Sequence, residues 1–219
     1  MSGHETTTTI HLLRHGEVAN PTGVRYGRMP DFHLSDLGVE MAQRIAKTVA
    51  DRDITYLVAS SLDRAQETAA PIAATLGIDV VTDDRVIEAA NLFEGMKFGV
   101  GDGALRRPSV WRHLYNPFRP SWGEPYRDIV VRMMAALYDV RRAASGHEAL
   151  VVSHQLPIWI VRSYLEGRHL FHDPRRRQCS LASLTTITYR GEDVATIAYS
   201  EPAADLVPAR VAKKFTAGA

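Results

Sequence analysis

The sequence has almost no cysteine and no long hydrophobic run. Its one cysteine, Cys179, excludes an intrachain disulfide and fits a reducing compartment. The first residues, MSGHETTTTIHLL, lack the basic start and the apolar run of a signal peptide. No stretch is long and apolar enough to span a bilayer. These absences lead us to expect a cytoplasmic protein without a membrane partner.

An excess of charge of one sign is also lacking. The 26 Lys and Arg residues nearly balance the 25 Asp and Glu residues, which gives a formal net charge of +1. This balance argues against a general attraction to nucleic acid, although it is compatible with a local basic pocket. The 219 residues, 45% of them hydrophobic, are enough for one sizeable core. We expect a single domain over residues 1–219.

The motifs of several enzyme classes are missing as well. There is neither a Walker loop nor a GxSxG elbow, and Gly99, Gly101 and Gly103 do not join a strand to a helix as in a dinucleotide loop. His11 and His15 have a spacing that aligns metal ligands on a helix, but their segment has the pattern of a strand running into a loop. Because no Asp or Glu has convincing ligand spacing beside them, we expect no metal and no cofactor.

Strand and helix patterns alternate along the chain. Runs of β-branched and apolar residues predict strands at 6–13, 54–59, 78–81, 149–152, 183–189 and 194–199. Apolar residues near helical spacing predict helices at 36–51, 61–77, 127–144 and 156–165. Ser35 is the expected N-cap of the first helix, and Ser60 with Asp63 resembles a capping box for the second. This order predicts an α/β fold in three layers, with a mostly parallel central sheet flanked by helices.

The segment from about residue 91 to 126 interrupts the alternation. It is rich in glycine and proline but also carries aromatic and arginine side chains, which a linker would not need. We interpret it as an irregular cap insertion that covers the site and selects the substrate. The side chains expected to do so are Arg106, Arg107, Trp111, Arg112, His113, Arg119 and Trp122.

Polar residues follow three of the predicted strands. Arg14 and His15 come directly after the first strand. Arg64 lies in the first turn of the helix after the second strand, and His154 follows a late strand. Because ligands bind outside the carboxyl ends of parallel strands, these side chains are expected to converge at one edge of the sheet. Two arginines, two histidines and helix N-termini form a positive site that suits a phosphoryl group.

These junctions resemble the histidine phosphatase superfamily, also called the phosphoglycerate mutase-like family. The resemblance covers about residues 10 to 165. Its main motifs are Arg14-His15-Gly16, Arg64-Ala65 with Thr68, and Ser153-His154, in this order and each after a strand. Supporting matches are Asn20, the LSDLG sequence at 34–38 and the GEPY sequence at 123–126. The resemblance implies a phosphoglycerate mutase-like fold.

The same resemblance implies a reaction through a phosphohistidine on His15. The chemistry needs a neutral imidazole with one nitrogen free and the other N–H held by an acceptor. Arg14, Arg64 and His154 would clamp the phosphoryl oxygens, and Asn20 would add a neutral donor. Metal is not required in the family.

Two glutamates are candidates for the acid that protonates the leaving oxygen. Glu88, in the sequence RVIEAAN, is the first choice by the resemblance. The spacing from Glu88 to Gly95 differs slightly from the usual phosphatase pattern, so Glu94 is the alternative.

Two departures from the family pattern favour a hydrolase. Val18 occupies the position where the family often has Ser or Thr, and AANLFEG follows in place of the Glu-Arg-His-Tyr-Gly pattern of true mutases. We therefore expect a phosphomonoester hydrolase with a small phosphorylated substrate. A phosphoglycerate mutase-type transferase and a non-enzymatic phospholigand-binding protein are the alternatives. Because members of the family vary in oligomeric state, a homodimer is left open.

A run of arginines and the single cysteine are two further features of the sequence. The run from Arg175 to Arg177 is interpreted as a solvated basic face, with contact to an acidic substrate as the alternative. Cys179 is interpreted as a small buried hydrophobe rather than a nucleophile, since no motif supports the latter.

Overall fold

A six-stranded mixed sheet forms the centre of the protein, in a computed structural model that describes residues 6–96 and 123–207. The strands are β1 (Thr7–Arg14), β2 (Ile54–Ala59), β3 (Val80–Thr82), β4 (Glu148–Ser153), β5 (Leu184–Arg190) and β6 (Asp193–Ser200). Their order across the sheet is β3-β2-β4-β1-β5-β6. β1 to β4 pair in parallel, while β5 and β6 pair antiparallel at one side. The predicted α/β fold with a mostly parallel sheet is confirmed.

Helices cover both faces of the sheet. They are α1 (Asp36–Val49), α2 (Asp63–Leu76), α3 (Tyr126–Ala143) and α4 (Gln155–Leu165). Successive residues of β4 point to opposite faces, so that Leu150 packs with α1 and α2 while Val151 packs with α3 and α4. Both residues are fully buried, as expected for a parallel strand covered on two sides. The three-layer prediction is therefore confirmed.

The beginning of α1 is as predicted, and that of α2 is not. The Ser35 hydroxyl accepts a hydrogen bond from the Gly38 N–H at 3.1 Å, as an N-cap should. The capping box assigned to Ser60 and Asp63 is wrong, because the N-cap residue of α2 is Leu62, which makes no side-chain cap hydrogen bond. The Ser60 hydroxyl is engaged elsewhere, with His154.

The third strand begins later than predicted, because Ile78 takes part in the hydrogen bonds that terminate α2. Gly77 adopts a left-handed conformation with φ of 67°. The N–H groups of Gly77 and Ile78 both donate to the Ala73 carbonyl, at 2.8 and 3.2 Å. Ile78 is therefore part of the helix termination, and β3 starts only at Val80.

Most of the predicted cap, with its seven named side chains, falls on residues 97–122 and so lies outside the described residues. The two flanks of this segment are described and lie side by side. Asn91 forms an isolated antiparallel bridge with Gly123, and α3 begins shortly afterwards at Tyr126. In the part of the chain that the structure describes, no helix combines the length and apolar character needed to cross a membrane.

Candidate active site

The order of the strands in the sheet brings together the polar residues predicted at the ends of β1, β2 and β4. β4 lies between β1 and β2, and the carboxyl ends of all three are in register, with Arg14 opposite Ser153 and Ala59 opposite Val152. The residues that follow these strands therefore emerge at one edge. The rings of His15 and His154 lie with their centroids 5.1 Å apart, inclined by 57°. The structure thus places both predicted histidines in one site.

His15 has the orientation and charge state of a nucleophile. Its Nδ1 lies 2.8 Å from the Gly16 carbonyl oxygen, which can only accept, so Nδ1 carries the proton. The other nitrogen, Nε2, keeps its lone pair and has no hydrogen-bond partner within residues 6–96 and 123–207. Burial lowers the pKa of His15 well below its ordinary 6.5, and the charges of Arg64 and Arg14 lower it further. The imidazole is therefore neutral at physiological pH.

His154 is held by a serine. The two side chains are fully buried, and the Ser60 hydroxyl oxygen lies 2.7 Å from Nε2 of His154. The Nδ1 atom of His154 is buried without a hydrogen-bond partner among the described residues. Burial lowers the pKa of His154 well below 6.5, with added effects from Arg64 and His15. A neutral ring that accepts from Ser60 at Nε2 carries its proton on Nδ1, which is then a donor to the site.

Arg14 and Arg64 are buried cations that hydrogen-bond to no carboxylate in the described parts of the chain. Each side chain is 1% exposed, and in the described parts of the chain neither forms a salt bridge. Their hydrogen bonds go to backbone carbonyls, from Arg14 to Cys179 and from Arg64 to Gly27. The Nε atoms of both are buried and unpartnered within the same ranges. Two desolvated positive charges at one site are costly unless an anion offsets them, so the arrangement suits an anionic ligand.

Two glycines allow the loop after β1 to approach α1 closely. A Cβ atom on Gly16 would lie 2.6 Å from the Gly38 carbonyl oxygen, and a Cβ atom on Gly38 would lie 2.1 Å from that of Glu17. The hydroxyl of Thr68 accepts from the Gly16 N–H at 3.1 Å, which links α2 to the same loop. The glycines of the RHG and LSDLG motifs therefore serve to position the backbone beside His15.

Glu88 is buried next to the cationic residues. Its side chain is 1% exposed, and Oε1 accepts from the Ala89 N–H at 2.7 Å. The other oxygen, Oε2, is buried and has no hydrogen-bond partner where the structure describes the chain. Glu88 interacts electrostatically with Arg64 and Arg25. A buried carboxyl with one oxygen available can exchange a proton with a bound ligand.

Glu94 is engaged in holding the neighbouring loops. Its Oε1 accepts from the N–H groups of Arg28 and Asn91, at 3.1 and 3.2 Å, and its side chain lies against Gly27. Glu94 is only partly buried. These contacts give it a structural task that Glu88 does not share.

Asn20 makes local hydrogen bonds. Its Nδ2 donates to the Val24 carbonyl at 2.8 Å, and its Oδ1 accepts from the Val24 N–H and the Thr22 hydroxyl. These contacts stabilise the turn from 20 to 24. The predicted role of Asn20 as a donor to phosphate stays a prediction.

Two residues of the site were missed in the sequence. Ser60, the partner of His154, has the same signal as His15 and His154, since it directly follows a strand. Tyr26 packs its ring beneath the Arg64 guanidinium, 4.7 Å from it, and is 4% exposed. Tyr26 lies in a loop without periodicity, so no sequence signal indicates its position.

Other candidate ligands have different partners. Ligand atoms of Asp31, His33 and Asp63 lie within 4.8 Å of one another at the surface, and we assign no metal to them. His11 is paired with Glu148 at 2.8 Å, and this contact explains its burial without any ligand role. Burial raises the pKa of Cys179 to about 11, which keeps the thiol protonated and agrees with its interpretation as a small hydrophobe.

Comparison with known sequences finds relatives over most of the chain. The chain is 56% identical over 197 residues to Uncharacterized protein Rv0525 of Mycobacterium tuberculosis, covering 90% of this chain and 98% of that protein. It is 31% identical over 180 residues to the Probable phosphoglycerate mutase GpmB of Yersinia pestis, covering 79% of this chain and 82% of that protein.

Comparison with solved structures and with family models also finds matches over most of the chain. Bacillus stearothermophilus YhfR superposes with a TM-score of 0.71 at 24% identity, covering 86% of this chain and 95% of that chain. At 24% identity, this structural similarity is evidence for the fold alone. The family model of the histidine phosphatase superfamily (branch 1) matches residues 10–201. The chain therefore belongs to the histidine phosphatase superfamily, branch 1.

Proposed function

We propose that the protein is a phosphomonoester hydrolase that acts through a phosphohistidine on a small phosphorylated metabolite. One observation carries the proposal: the buried, neutral ring of His15 has Nδ1 held by Gly16 and Nε2 free, beside the unpaired guanidiniums of Arg14 and Arg64. A dianionic phosphoryl group offsets both charges and presents its phosphorus to Nε2. Membership of the superfamily supports the proposal.

The first half of the reaction transfers the phosphoryl group to His15. Nε2 forms a bond to phosphorus while the bond between phosphorus and the ester oxygen breaks. Glu88 gives a proton to the departing oxygen, so the product leaves as an alcohol. Arg14, Arg64 and the Nδ1–H of His154 offset the charge on the phosphoryl oxygens during transfer.

The second half restores the enzyme. A water molecule attacks the phosphorus of phosphohistidine, and the Glu88 carboxylate accepts its proton. The bond between Nε2 and phosphorus breaks, inorganic phosphate leaves, and His15 returns to its neutral state. Because arginine side chains provide the positive charge, we expect turnover without a divalent metal.

Transfer back to the substrate is the second candidate function. It is favoured by the 31% identity to a protein named as a probable phosphoglycerate mutase. A mutase must retain its substrate while the phosphoryl group returns to another hydroxyl. The sequence AANLFEG after Glu88, where mutases carry the Glu-Arg-His-Tyr-Gly pattern, favours water as the acceptor.

Water enriched in heavy oxygen separates these functions. The protein is incubated with a panel of phosphomonoesters, phosphoglycerates among them, in the presence of a chelator. A hydrolase releases phosphate that contains one oxygen from water, whereas a mutase yields an isomer of the phosphoglycerate without that release. Binding without either product would support a non-enzymatic phospholigand-binding protein and contradict the proposal.

A further inference from the structure

The three consecutive arginines at 175–177 have different environments. Arg175 is exposed and makes a salt bridge to Asp173 at 2.8 Å. Arg176 is exposed too, whereas Arg177 is partly buried. The interpretation of a solvated basic face therefore holds for Arg175 and Arg176 and is wrong for Arg177, whose side chain turns inward.

Two neighbours fix the guanidinium of Arg177. Its Nε donates to Nε2 of His172 at 2.8 Å, and its Nη1 donates to the Gln155 side-chain oxygen at 3.3 Å. The Nδ1–H of His172 donates to the Leu170 carbonyl at 2.6 Å, which leaves Nε2 as the acceptor. Burial lowers the pKa of His172 to about 4, so the ring stays neutral and keeps accepting. The guanidinium is thus oriented before any ligand binds.

The fixed guanidinium lies beside the phosphoryl site. Gln155, which holds Arg177, directly follows His154 and donates to the Cys179 carbonyl at 3.4 Å. The same carbonyl accepts from Arg14 at 2.8 Å, so one short chain of contacts joins Arg177 to the site. Arg177 also interacts electrostatically with Glu88 and Arg14.

Arg177 retains charge and donor capacity for a ligand. Burial, and to a smaller degree the like charges nearby, lower its pKa to about 10, so it remains a cation at neutral pH. Across the described parts of the chain it forms no salt bridge, and its Nη2 makes no hydrogen bond. Arg175, two residues earlier, has its charge offset by Asp173. An oriented, unpaired cation next to a catalytic pocket is suited to a second anionic group.

We propose that Arg177 determines specificity by binding a carboxylate or second phosphate that the substrate carries close to its scissile phosphate. This inference rests on the proposed hydrolase and narrows its substrates to phosphomonoesters with an additional negative charge. Arg177 is assigned no part in the transfer itself.

Two pairs of substrates, matched in size, test the inference. One pair is meta-carboxyphenyl phosphate and meta-hydroxymethylphenyl phosphate, and the other is phosphoglycerate and glycerol phosphate. In each pair one member has a carboxylate where the other has a hydroxymethyl group. We expect the parent protein to prefer the anionic member through a lower KM.

Substitution at 177 should remove this preference. Because a charge-assisted hydrogen bond is lost, Arg177→Gln is expected to raise KM for the anionic members by about 10- to 100-fold. The values of kcat and the kinetics of the neutral members should change little. Arg175→Gln, which removes a neighbouring arginine already paired with Asp173, should leave the preference intact. Arg177→Lys, which keeps the positive charge but lacks the planar guanidinium with its paired donors, should give an intermediate KM for the anionic members.

Four results would overturn the inference. An equal loss on both members of a pair in Arg177→Gln would mean that Arg177 acts through Glu88 or the phosphate. If Arg177→Gln fails to fold, an unchanged KM ratio in a folded Arg177→Lys, in place of the intermediate value expected, would mean that the Arg177 guanidinium does not contact the second anion. A parent that hydrolyses both members without preference would refute the inference alone, whereas a parent that hydrolyses neither would refute the proposed function along with it.

Discussion

The hydroxyl of Ser60, at the end of β2, lies 2.7 Å from the ring of His154, at the end of β4. This contact joins residues that follow two neighbouring strands, and both side chains are fully buried. When the hydroxyl donates to Nε2, the ring proton is placed on Nδ1, the atom without another partner in the described residues. In that tautomer, the contact with Ser60 leaves the Nδ1–H of His154 as a donor to a ligand in the site.

Removal of this hydroxyl should impair turnover. In Ser60→Ala the ring is free to change its tautomer and orientation, so we expect kcat/KM to fall by about tenfold, the value of one lost hydrogen bond. Ser60→Thr, which retains a hydroxyl, should recover part of the activity. Steady-state hydrolysis of an aryl phosphate measures both variants.

A second serine provides the control for Ser60. The Ser183 hydroxyl donates to the Ser180 carbonyl at the same distance of 2.7 Å, while the Ser183 backbone carbonyl, which a substitution to Ala keeps, accepts from the Arg14 N–H at 3.1 Å. Ser183→Ala should lower the melting temperature by an amount similar to Ser60→Ala without a comparable loss of kcat/KM. Equal kinetic losses in both variants would show that Ser60 contributes only to stability.

The neutral state of His15 should appear in the pH dependence of stability. Because the folded protein depresses the pKa of His15, the unfolded chain binds a proton near 6.5 that the folded protein refuses. Stability contributed by this group is therefore present above the unfolded pKa and falls as the pH drops below it. In His15→Asn the decline should be shallower, by about 1.4 kcal/mol per pH unit, which is one proton.

Urea unfolding from about pH 7 to about pH 5, without phosphate in the buffer, measures the two slopes. His33→Asn serves as the control, since His33 is exposed and its hydrogen bond to Glu67 raises its pKa. A raised pKa contributes stability at low pH, so loss of His33 should make the decline steeper rather than shallower. Identical slopes in the parent and His15→Asn would mean that His15 takes up a proton in the folded state.

The residue that protonates the leaving group, Glu88 or Glu94, should be identifiable from how the loss of rate in each variant varies with the leaving group. An alkoxide needs a proton from the enzyme far more than a phenoxide with electron-withdrawing groups does. Glu88→Gln is therefore expected to slow hydrolysis of alkyl phosphates by about 100-fold or more and that of an activated aryl phosphate much less. The ratio of the two rates, in matched assays, is the measurement.

Glu94→Gln is the matched comparison. Because Oε1 of Glu94 accepts from two backbone N–H groups, its loss should reduce stability and slow both substrate classes alike. If Glu94→Gln, and not Glu88→Gln, discriminates between alkyl and aryl phosphates, Glu94 is the acid.

The elements of the sheet and the main site could be predicted because each has a local signal. β4 is a short apolar run, and Arg14, His15 and His154 lie at the ends of strands that must be parallel in an α/β fold. This placement predicts the two histidines at one edge of the sheet, and in the structure their ring centroids lie 5.1 Å apart.

What could not be predicted depends on contacts between distant residues. The Ser60 hydroxyl could cap α2 or bind His154, and only the adjacency of β2 and β4 favours the histidine. The inward turn of Arg177 depends on Gln155 and His172, which the sequence separates from it by 22 and 5 residues. Three arginines in a row have the same local pattern whichever of them is buried.

If Nε2 of His15 carries the phosphoryl group during turnover, the phosphorylated protein can be trapped and its modified residue identified. The protein is mixed rapidly with a phosphomonoester that it hydrolyses and is then quenched in alkali, in which phosphohistidine is stable. Mass spectrometry of the intact protein and of its peptides measures the number and position of the phosphoryl groups. We predict one phosphoryl group, on the peptide that contains His15, absent in His15→Asn and present in a Ser183→Ala control. A phosphoryl group on a residue other than His15, or full turnover by His15→Asn, would exclude His15 as the nucleophile.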